Sequence, residues 1–206
     1  MAILTYLGHN SFRLSSNDNR MVVYIDPYAG DDYTIPADLI LVSHEHFDHN
    51  QTDLVQLKPF GKIMRAENFI QEGKYQTFNF HGLKVEGVPA ENINHSIKEC
   101  VGFVIEVDGV KLYFACDTSK TDYMHELAKR HLDYAFLPCD GKYNMDVKEA
   151  SECAEIIKAK RTMPVHTNPD KLYDKKIAKE FIDICDNELI VLIIGIDESI
   201  ELRKMA

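Results

Sequence analysis

Positive charge is scarce in this sequence. Its 206 residues include 23 lysines and arginines against 33 aspartates and glutamates, which gives a formal net charge of −10 and an isoelectric point near 5.3. Nucleic-acid binding depends on clustered Lys and Arg side chains that neutralise phosphates, so we expect no nucleic-acid partner. A small anionic substrate is still compatible with this charge, since a bound metal ion would reverse the local field.

The sequence also lacks a long apolar run and a secretion signal. No stretch approaches the ~20 apolar residues that a membrane-spanning helix needs, and residues 1–6 carry no basic region, so they are predicted to form a first strand. The five cysteines are odd in number and have no paired spacing, which argues against a disulfide framework or a zinc knuckle. We therefore expect a cytoplasmic protein with reduced thiols and no membrane partner.

Length and patterning predict one domain over residues 1–206, because a chain of this size with 45% hydrophobic residues suffices for one well-buried core. Short strands dominate the first half of the chain and strands alternate with helices later, which predicts sheets flanked by helices. Strands are predicted at residues 3–7, 12–14, 21–25, 39–42, 78–85 (about a His-Gly turn), 101–107, 110–115, 134–137, 162–165 and 189–194, and helices at residues 50–57, 123–130, 146–160 and 171–185.

Three histidines and an aspartate lie within six residues, directly after a predicted apolar strand. In the motif H-E-H-F-D-H at residues 44–49, His44 and His46 are two positions apart and so lie on one side of an extended chain. Imidazole and carboxylate groups bind divalent ions, so these two can share one ion, while Asp48 and His49, past the strand end, can face a second. The alternative is a polar loop with solvated histidines, but the density of ligands favours half of a two-metal site.

Further candidate ligands follow other predicted strands. Because ligand sites in open α/β sheets collect at the carboxyl ends of strands, these side chains are expected to converge. Each has a simpler alternative: His95 could lie on a surface loop, His166 could be a satisfied core histidine, and Asp117 could cap the following turn. The candidates are Asp26, His95, Asp117, Asp140 and His166.

Together with the H-x-H-x-D-H motif, several segments resemble the metallo-β-lactamase superfamily, and the likeness covers essentially the whole chain. It is closer to the compact branch that includes L-ascorbate-6-phosphate lactonase-like proteins and bacterial metal-dependent hydrolases. The resemblance implies an α/β fold built as a four-layer αββα sandwich, with two mixed sheets flanked by helices. The segments are Leu7-Gly8-His9-Asn10-Ser11, Ile25-Asp26-Pro27, Asn94-His95-Ser96, Cys116-Asp117-Thr118, residues 140–146 and Pro164-Val165-His166.

The resemblance also implies a ligand set for two divalent ions. Zinc is the expected metal, with manganese and iron as alternatives, because histidine and aspartate suit all three. The family usually has glycine before the bridging aspartate, where this chain has Cys116, and a larger residue can narrow the local space. By this resemblance His44, His46 and His95 would hold the first ion, Asp48, His49 and His166 the second, and Asp117 would bridge both.

Four other residues have less specific predicted roles. Asp26 is expected to accept a hydrogen bond from a ligating imidazole, with a simple Asp-Pro turn as the alternative. His9 either acts as a catalytic group that contacts substrate or is structural. Lys142 and Tyr143 are candidates for holding an anionic group, and the alternative for both is a solvated loop.

The implied function is metal-dependent hydrolysis of a small anionic ester, lactone or phosphodiester. A carboxylate-bridged pair of ions would supply hydroxide at neutral pH, with Asp48 and Asp117 as the catalytic carboxylates. Non-haem di-iron redox relatives have a carboxylate where this chain has His46, which favours hydrolysis over electron transfer. The alternative is a non-catalytic metal-binding or sensor protein on the same scaffold. A homo-oligomer is compatible with the family that the chain resembles.

Overall fold

The computed structural model describes residues 1–16, 19–185 and 190–205, which form two six-stranded sheets packed face to face. The strands are β1 (Ala2–Gly8), β2 (Ser11–Ser16), β3 (Val22–Ile25), β4 (Ala37–Val42), β5 (Leu57–Arg65), β6 (Ile70–Gln71), β7 (Lys74–Tyr75), β8 (Thr77–Phe80), β9 (Leu83–Pro89), β10 (Val101–Val107), β11 (Val110–Phe114), β12 (Tyr134–Pro138), β13 (Arg161–Val165) and β14 (Ser199–Glu201). The helices are α1 (Ala66–Phe69), α2 (Met124–Ala128), α3 (Val147–Ile157) and α4 (Lys175–Ile184).

The two sheets repeat one pairing pattern. The first has the order β14-β1-β2-β3-β4-β5 and the second the order β13-β12-β11-β10-β9-β8. Each sheet has three adjacent antiparallel pairings and, at one side, two parallel ones, which are β3–β4 and β4–β5 in the first and β11–β12 and β12–β13 in the second. Both sheets are therefore mixed, as the predicted fold class requires. Their parallel strands end at a shared edge, where side chains from both sheets can meet.

Aromatic side chains fill the space between the sheets. Phe12 of the first sheet lies 5.1 Å from Phe114 and 4.7 Å from Phe136 of the second, measured between ring centroids, and the last two stack on each other. All three are buried. They lie a few residues from the strand ends that carry the candidate ligands, so this packing sets the distance between the ligand-bearing edges.

The outer faces of the two sheets are covered differently. Helices α2, α3 and α4 pack on the second sheet through Leu127, Ala154 and Phe181. The first sheet is covered over Tyr24 and Ile40 by side chains of irregular chain, namely Tyr33, Ile35 and Val55. No helix in the described ranges is long and apolar enough to cross a membrane.

The predicted helix at residues 50–57 is wrong. The segment forms only a short 3-10 turn, Thr52–Leu54, and then enters β5, an edge strand that the sequence analysis missed. Gln51 N donates to Pro27 O and Ala37 N donates to Gln56 O. These two hydrogen bonds fix both ends of the segment, and too few residues remain between them for a helix. Pro59 is tolerated inside β5 because an edge strand has backbone groups with no ladder partner on one side.

Two predictions near the C-terminus also need correction. The helix predicted at residues 171–185 begins only at Lys175, capped by Asp174, because residues 171–173 turn over the β1–β2 connection: His9 N donates to Leu172 O. Of the strand predicted at residues 189–194, Leu189 lies outside the described residues, and residues 190–194 form a single bridge, Thr162 to Val191. The edge position beside β1 belongs to β14. The remaining predicted strands and helices are confirmed to within a few residues at their ends.

We predict that Phe12→Ala destabilises the protein by about 3–5 kcal/mol, because it leaves a cavity where the two sheets meet. The free energy of unfolding from denaturant titration measures the effect. Phe60→Ala is the control, since that ring is 96% exposed; its expected change is within about 0.5 kcal/mol. Equal losses in the two variants would contradict the assignment of Phe12 to the core.

Candidate metal centre

All seven predicted ligands meet at the shared edge of the sheets, and they do so in overlapping groups. Within each group one ligand atom per residue lies within 4.8 Å of the others. The groups are His44, His46 and His95; His9, Asp48, His49 and His166; and His44, His49 and Asp117. His95 is buried and His166 Nε2 has no hydrogen-bond partner, which disfavours the simpler alternatives of a surface-loop histidine and a satisfied core histidine.

The first group is a trio of imidazoles at the floor of a cavity. His44 follows β4, and its ring centroid lies 4.8 Å from that of His46 and 4.3 Å from that of His95. His44 and His95 are buried, whereas His46 faces the cavity. Three imidazoles at this spacing match the ligand set of a catalytic metal position, which leaves further coordination sites open to solvent.

The second group adds a carboxylate and a residue from the N-terminal region. Asp48 Oδ2 lies 3.1 Å from His9 Nε2, 3.7 Å from His166 Nε2 and 3.9 Å from His49 Nε2. His9 is placed there by a turn between β1 and β2, and its ring packs at 3.7 Å from that of His166. His9, which was predicted from the sequence as a separate catalytic candidate, lies within this group.

Asp117 lies between the two groups and turns one carboxylate oxygen toward each. Its Oδ1 is 3.2 Å from His49 Nε2 and 3.6 Å from His166 Nε2. Its Oδ2 is 3.6 Å from His95 Nε2 and 3.9 Å from His44 Nε2. This is the position that a ligand shared by two ions requires.

Several inward-facing atoms of the centre are buried with no hydrogen-bond partner. They are the Nε2 atoms of His44, His49 and His166 and Oδ1 of Asp117. Buried polar atoms without partners are rare and costly in native proteins. A divalent ion bound among them would give each of these nitrogen and oxygen atoms a ligand bond, so the residues present fit a metal.

Asp26 orients ligands of both groups. Its carboxylate accepts hydrogen bonds from His49 Nδ1 at 2.8 Å and from Ser43 Oγ at 2.7 Å. Because Ser43 gives its hydroxyl proton to Asp26, its oxygen is left to accept from His44 Nδ1 at 2.9 Å. Both rings therefore use Nδ1 as the donor to these partners and turn Nε2 to the centre, the orientation that a metal ligand needs.

Asp140 makes an ion-pair contact with His166. Its Oδ2 lies 3.1 Å from His166 Nδ1, and its Oδ1 accepts from the backbone N–H groups of Lys142 and Tyr143. Asp140 was predicted from the sequence only as a candidate ligand after a strand, and its contact with His166 was not predicted. Ser43 was missed altogether, although its position directly before the first histidine was a usable signal.

Four residues of the centre have left-handed backbone conformations. The φ angles are +55° at His9, +44° at Asp26, +55° at Cys116 and +44° at His166. Such angles cost about 1–3 kcal/mol for residues other than glycine and persist where the surroundings impose them. Cys116 occupies the position where glycine is usual in the family that the sequence resembles, and its φ explains why glycine suits that position.

The carboxylates of the centre raise the pKa values of two of its histidines, and burial lowers that of a third. Burial lowers the pKa of His166, but the charge of Asp117 and the contacts with Asp140 and Asp48 outweigh this and raise it to about 9. The pKa of His49 is also raised, since Asp117 and Asp26 together outweigh its burial. Burial, with repulsion from His49, lowers the pKa of His44 to about 2. In the metal-free protein His166 therefore holds a proton that an ion must displace.

The cavity over the first group has a volume of about 720 Å³. Its wall includes Arg65 and Lys98 beside Glu45, Glu67 and Glu99. The predicted substrate residues Lys142 and Tyr143 do not line it. Lys142 Nζ lies 4.7 Å from the centroid of the Tyr143 ring, and both side chains are exposed.

Comparisons with known proteins agree with this geometry. Residues 3–166 match the family described as the beta-lactamase superfamily domain. The chain is 32% identical over 188 residues to a UPF0173 metal-dependent hydrolase of Methanoregula boonei, covering 80% of this chain and 82% of the relative. A second such hydrolase, from Thermococcus onnurineus, is 30% identical over 194 residues, with 82% and 85% covered. A crystal structure from Parabacteroides distasonis, assigned as a metal-dependent hydrolase, has a TM-score of 0.76 at 27% identity and covers 93% of this chain and 91% of that one.

The protein is a metal-dependent hydrolase with the metallo-β-lactamase fold. This class follows from two mixed sheets that bring histidines and aspartates to a common edge and from the relatives named above. The chain belongs to the β-lactamase superfamily, since the family match covers residues 3–166 of 206. The resemblance to the superfamily is thereby confirmed. The lactonase-like branch stays a prediction.

We predict that Asp26→Asn weakens metal binding by about 10- to 100-fold, because an amide nitrogen would face donors from His49 and Ser43. Competition with a chromogenic chelator measures the affinity. Asp38→Asn is a matched control, since Asp38 also caps a backbone N–H, that of Val22 at 2.8 Å, on the same sheet away from the centre. Equal affinities in the two variants would show that Asp26 does not orient the ligands.

We also predict that metal affinity rises with pH up to about 9, the pKa of His166 in the metal-free protein. Below that pH an ion must displace the His166 proton, so the affinity increases by up to about tenfold per pH unit for each proton released. Because this pKa is raised, its stabilisation of the metal-free protein is complete below the unfolded pKa of about 6.5 and is lost as pH rises through 9. Calorimetry in buffers of different ionisation enthalpy counts the protons, and a count of zero at pH 7 would contradict the prediction.

Proposed function

We propose that the protein uses two divalent metal ions to hydrolyse a small ester, lactone or phosphodiester. The observation that carries the proposal is Asp117, whose two oxygens face the two histidine groups at 3.2–3.9 Å. A shared carboxylate of this kind belongs to a dinuclear centre, because a single ion would leave one of the groups without a partner.

Each group holds its own ion in this proposal. His44, His46 and His95 bind the first, and Asp48, His49 and His166 bind the second, with Asp117 common to both. Bound ions of this kind lower the pKa of a shared water and polarise the attacked carbonyl or phosphoryl oxygen. Zinc fits the ligands best among the candidates, and manganese or iron are compatible with the same histidines and carboxylates.

His9 positions Asp48 in this proposal. Its ring is fully buried, so it acts on substrate only indirectly, through other residues of the centre. Its Nε2 lies 3.1 Å from Asp48 Oδ2. Burial lowers the pKa of His9 despite its bond to Asp48, which favours a neutral ring that donates one proton. That proton holds one oxygen of Asp48 and leaves the carboxylate in a single orientation.

The cavity supports a small substrate with one anionic group. Arg65 Nη1 is already bound to Glu45 at 2.7 and 2.9 Å, so part of its charge is neutralised. Lys98 forms no ion pair with another described residue and lines the same cavity, so it is the cation best placed to bind an anionic group. The wall carboxylates Glu67 and Glu99 disfavour a substrate with several negative charges.

We predict that Asp117→Asn lowers the turnover of phosphodiester and lactone probes by more than about 100-fold, beyond the usual effect of an outer contact, because it removes the shared ligand. The same variant is expected to retain fewer ions per chain than the wild type in elemental mass spectrometry. Asp122→Asn is the control, since Asp122 is an exposed aspartate five residues further along the chain.

A folded Asp117→Asn protein with full turnover would exclude this mechanism. A wild-type protein that binds two ions and hydrolyses none of the probes would support the alternative of a non-catalytic metal-binding or sensor protein.

A further inference from the structure

Two asparagines outside the ligand set connect the loops that carry His95 and His166. Asn92 lies three residues before His95, after β9, and Asn144 lies in the loop after β12. The two residues are 52 positions apart in the chain, yet Asn92 Nδ2 donates a hydrogen bond of 2.8 Å to Asn144 Oδ1. This bond joins two segments that otherwise support different metal positions.

The Asn144 end of this connection reaches the second metal position. Asn144 is a buried residue, and its Nδ2 donates to Asp140 Oδ2 at 2.8 Å. The same oxygen of Asp140 lies 3.1 Å from His166 Nδ1. Asn144 therefore holds the carboxylate that forms an ion pair with the His166 ring.

The Asn92 end reaches the first metal position. Asn92 Oδ1 accepts hydrogen bonds from the backbone N–H groups of Asn94 at 2.8 Å and His95 at 3.0 Å. The Asn92 backbone N–H also donates to the carbonyl of His95 at 3.1 Å. Asn92 therefore sets the turn that presents the His95 ring to the centre.

Only one orientation of the two amides satisfies all these contacts. An ionised carboxylate only accepts, so Asp140 requires the Asn144 amide nitrogen. The Asn144 oxygen then faces Asn92 and requires its nitrogen, which leaves the Asn92 oxygen for the two backbone donors. Rotation of either amide by 180° would place donor against donor or acceptor against acceptor at both of its ends. Each hydrogen bond of the path therefore has a fixed donor and a fixed acceptor.

We propose that Asn92 and Asn144 are positioning residues that couple the two metal positions through the path His95, Asn92, Asn144, Asp140 and His166. An ion bound at His166, the second position, would hold that ring and Asp140 and, through the amides, the loop that carries His95. The first position would then be formed by a loop that is already held, so each ion would strengthen the binding of the other. The inference rests on the proposed two-ion function.

The test disables the first metal position, changes the path at the Asn92 end beside it, and measures the effect at the second position. In a His46→Ala background the first position lacks a ligand, and zinc affinity at the remaining position is measured by chelator competition. Asn92→Ser in that background keeps an acceptor for the backbone N–H groups but is too short to reach Asn144. We expect it to weaken zinc binding at the remaining position at least about fivefold, the lower end of usual coupling between sites.

Two further variants make the result specific. Asn144→Ala cuts the same path, so adding Asn92→Ser to it is expected to cause no further loss at the remaining position. Asn68→Ser is the matched control, because Asn68 Oδ1 also caps a backbone N–H, that of Arg65 at 2.7 Å, without any contact to Asn92 or Asn144. It is expected to leave the zinc affinity unchanged. Circular dichroism of each metal-free variant checks its fold, and if Asn144→Ala does not fold, Asn92→Ser and its control decide alone.

The outcomes separate this inference from the proposed function. A wild-type protein that binds fewer than two ions overturns both. Two ions in the wild type, with the zinc affinity of the His46→Ala protein unchanged by Asn92→Ser, overturn the coupling and leave the two-ion function standing. If the loss of zinc affinity in Asn92→Ser adds fully to that in Asn144→Ala, the coupling is also overturned, because the two residues would then act independently.

Discussion

The buried charge of Asp117 is the constraint on which the rest of the centre depends. Its carboxylate is almost completely shielded from solvent and is surrounded by the rings of His44, His49, His95 and His166. A negative charge at that depth is stable only beside opposite charge, which protons on the imidazoles or bound cations provide. The raised pKa values of His49 and His166 express this requirement in the metal-free protein. In the proposed centre, metal binding would exchange those protons for ions, so the charge that attracts the metal would also make its binding depend on pH.

The centre belongs to the contact between the two sheets and to neither sheet alone. His166 N, after the second sheet, donates to His9 O of the first at 2.9 Å, and Val101 N donates to Ser43 O at 3.1 Å. Ligand distances are therefore set by the aromatic packing between the layers. This explains how left-handed backbone at His9 and His166 persists: the cross-sheet bonds and the core beneath them hold these residues in conformations that an isolated loop would leave.

Orientation of the ligands comes from residues that serve more than one of them. Asp26 acts on His49 directly and on His44 through Ser43, so one carboxylate orients ligands of both positions. Asp140 orients His166 and is itself held by Asn144. In such a centre a change at one of these residues reaches its neighbours through shared partners, which is the physical basis of the coupling proposed between the two metal positions.

Local sequence patterns predicted most of the strands and the candidate ligands that follow them, and the resemblance to the metallo-β-lactamase superfamily implied the fold class and the ligand set. These features are local: a two-residue period marks a strand, and the chemistry of a ligand belongs to its side chain. The helix predicted at residues 50–57 failed because long-range backbone hydrogen bonds, from Gln51 N to Pro27 O and from Ala37 N to Gln56 O, overrode a short apolar spacing. The sequence by itself determined which side chains can bind metal and that they follow strands. Only the tertiary structure decided that Ser43, Asp140, Asn92 and Asn144 hold them in place, because hydrogen bonds between residues as far apart as 52 positions exist only after the sheets have packed.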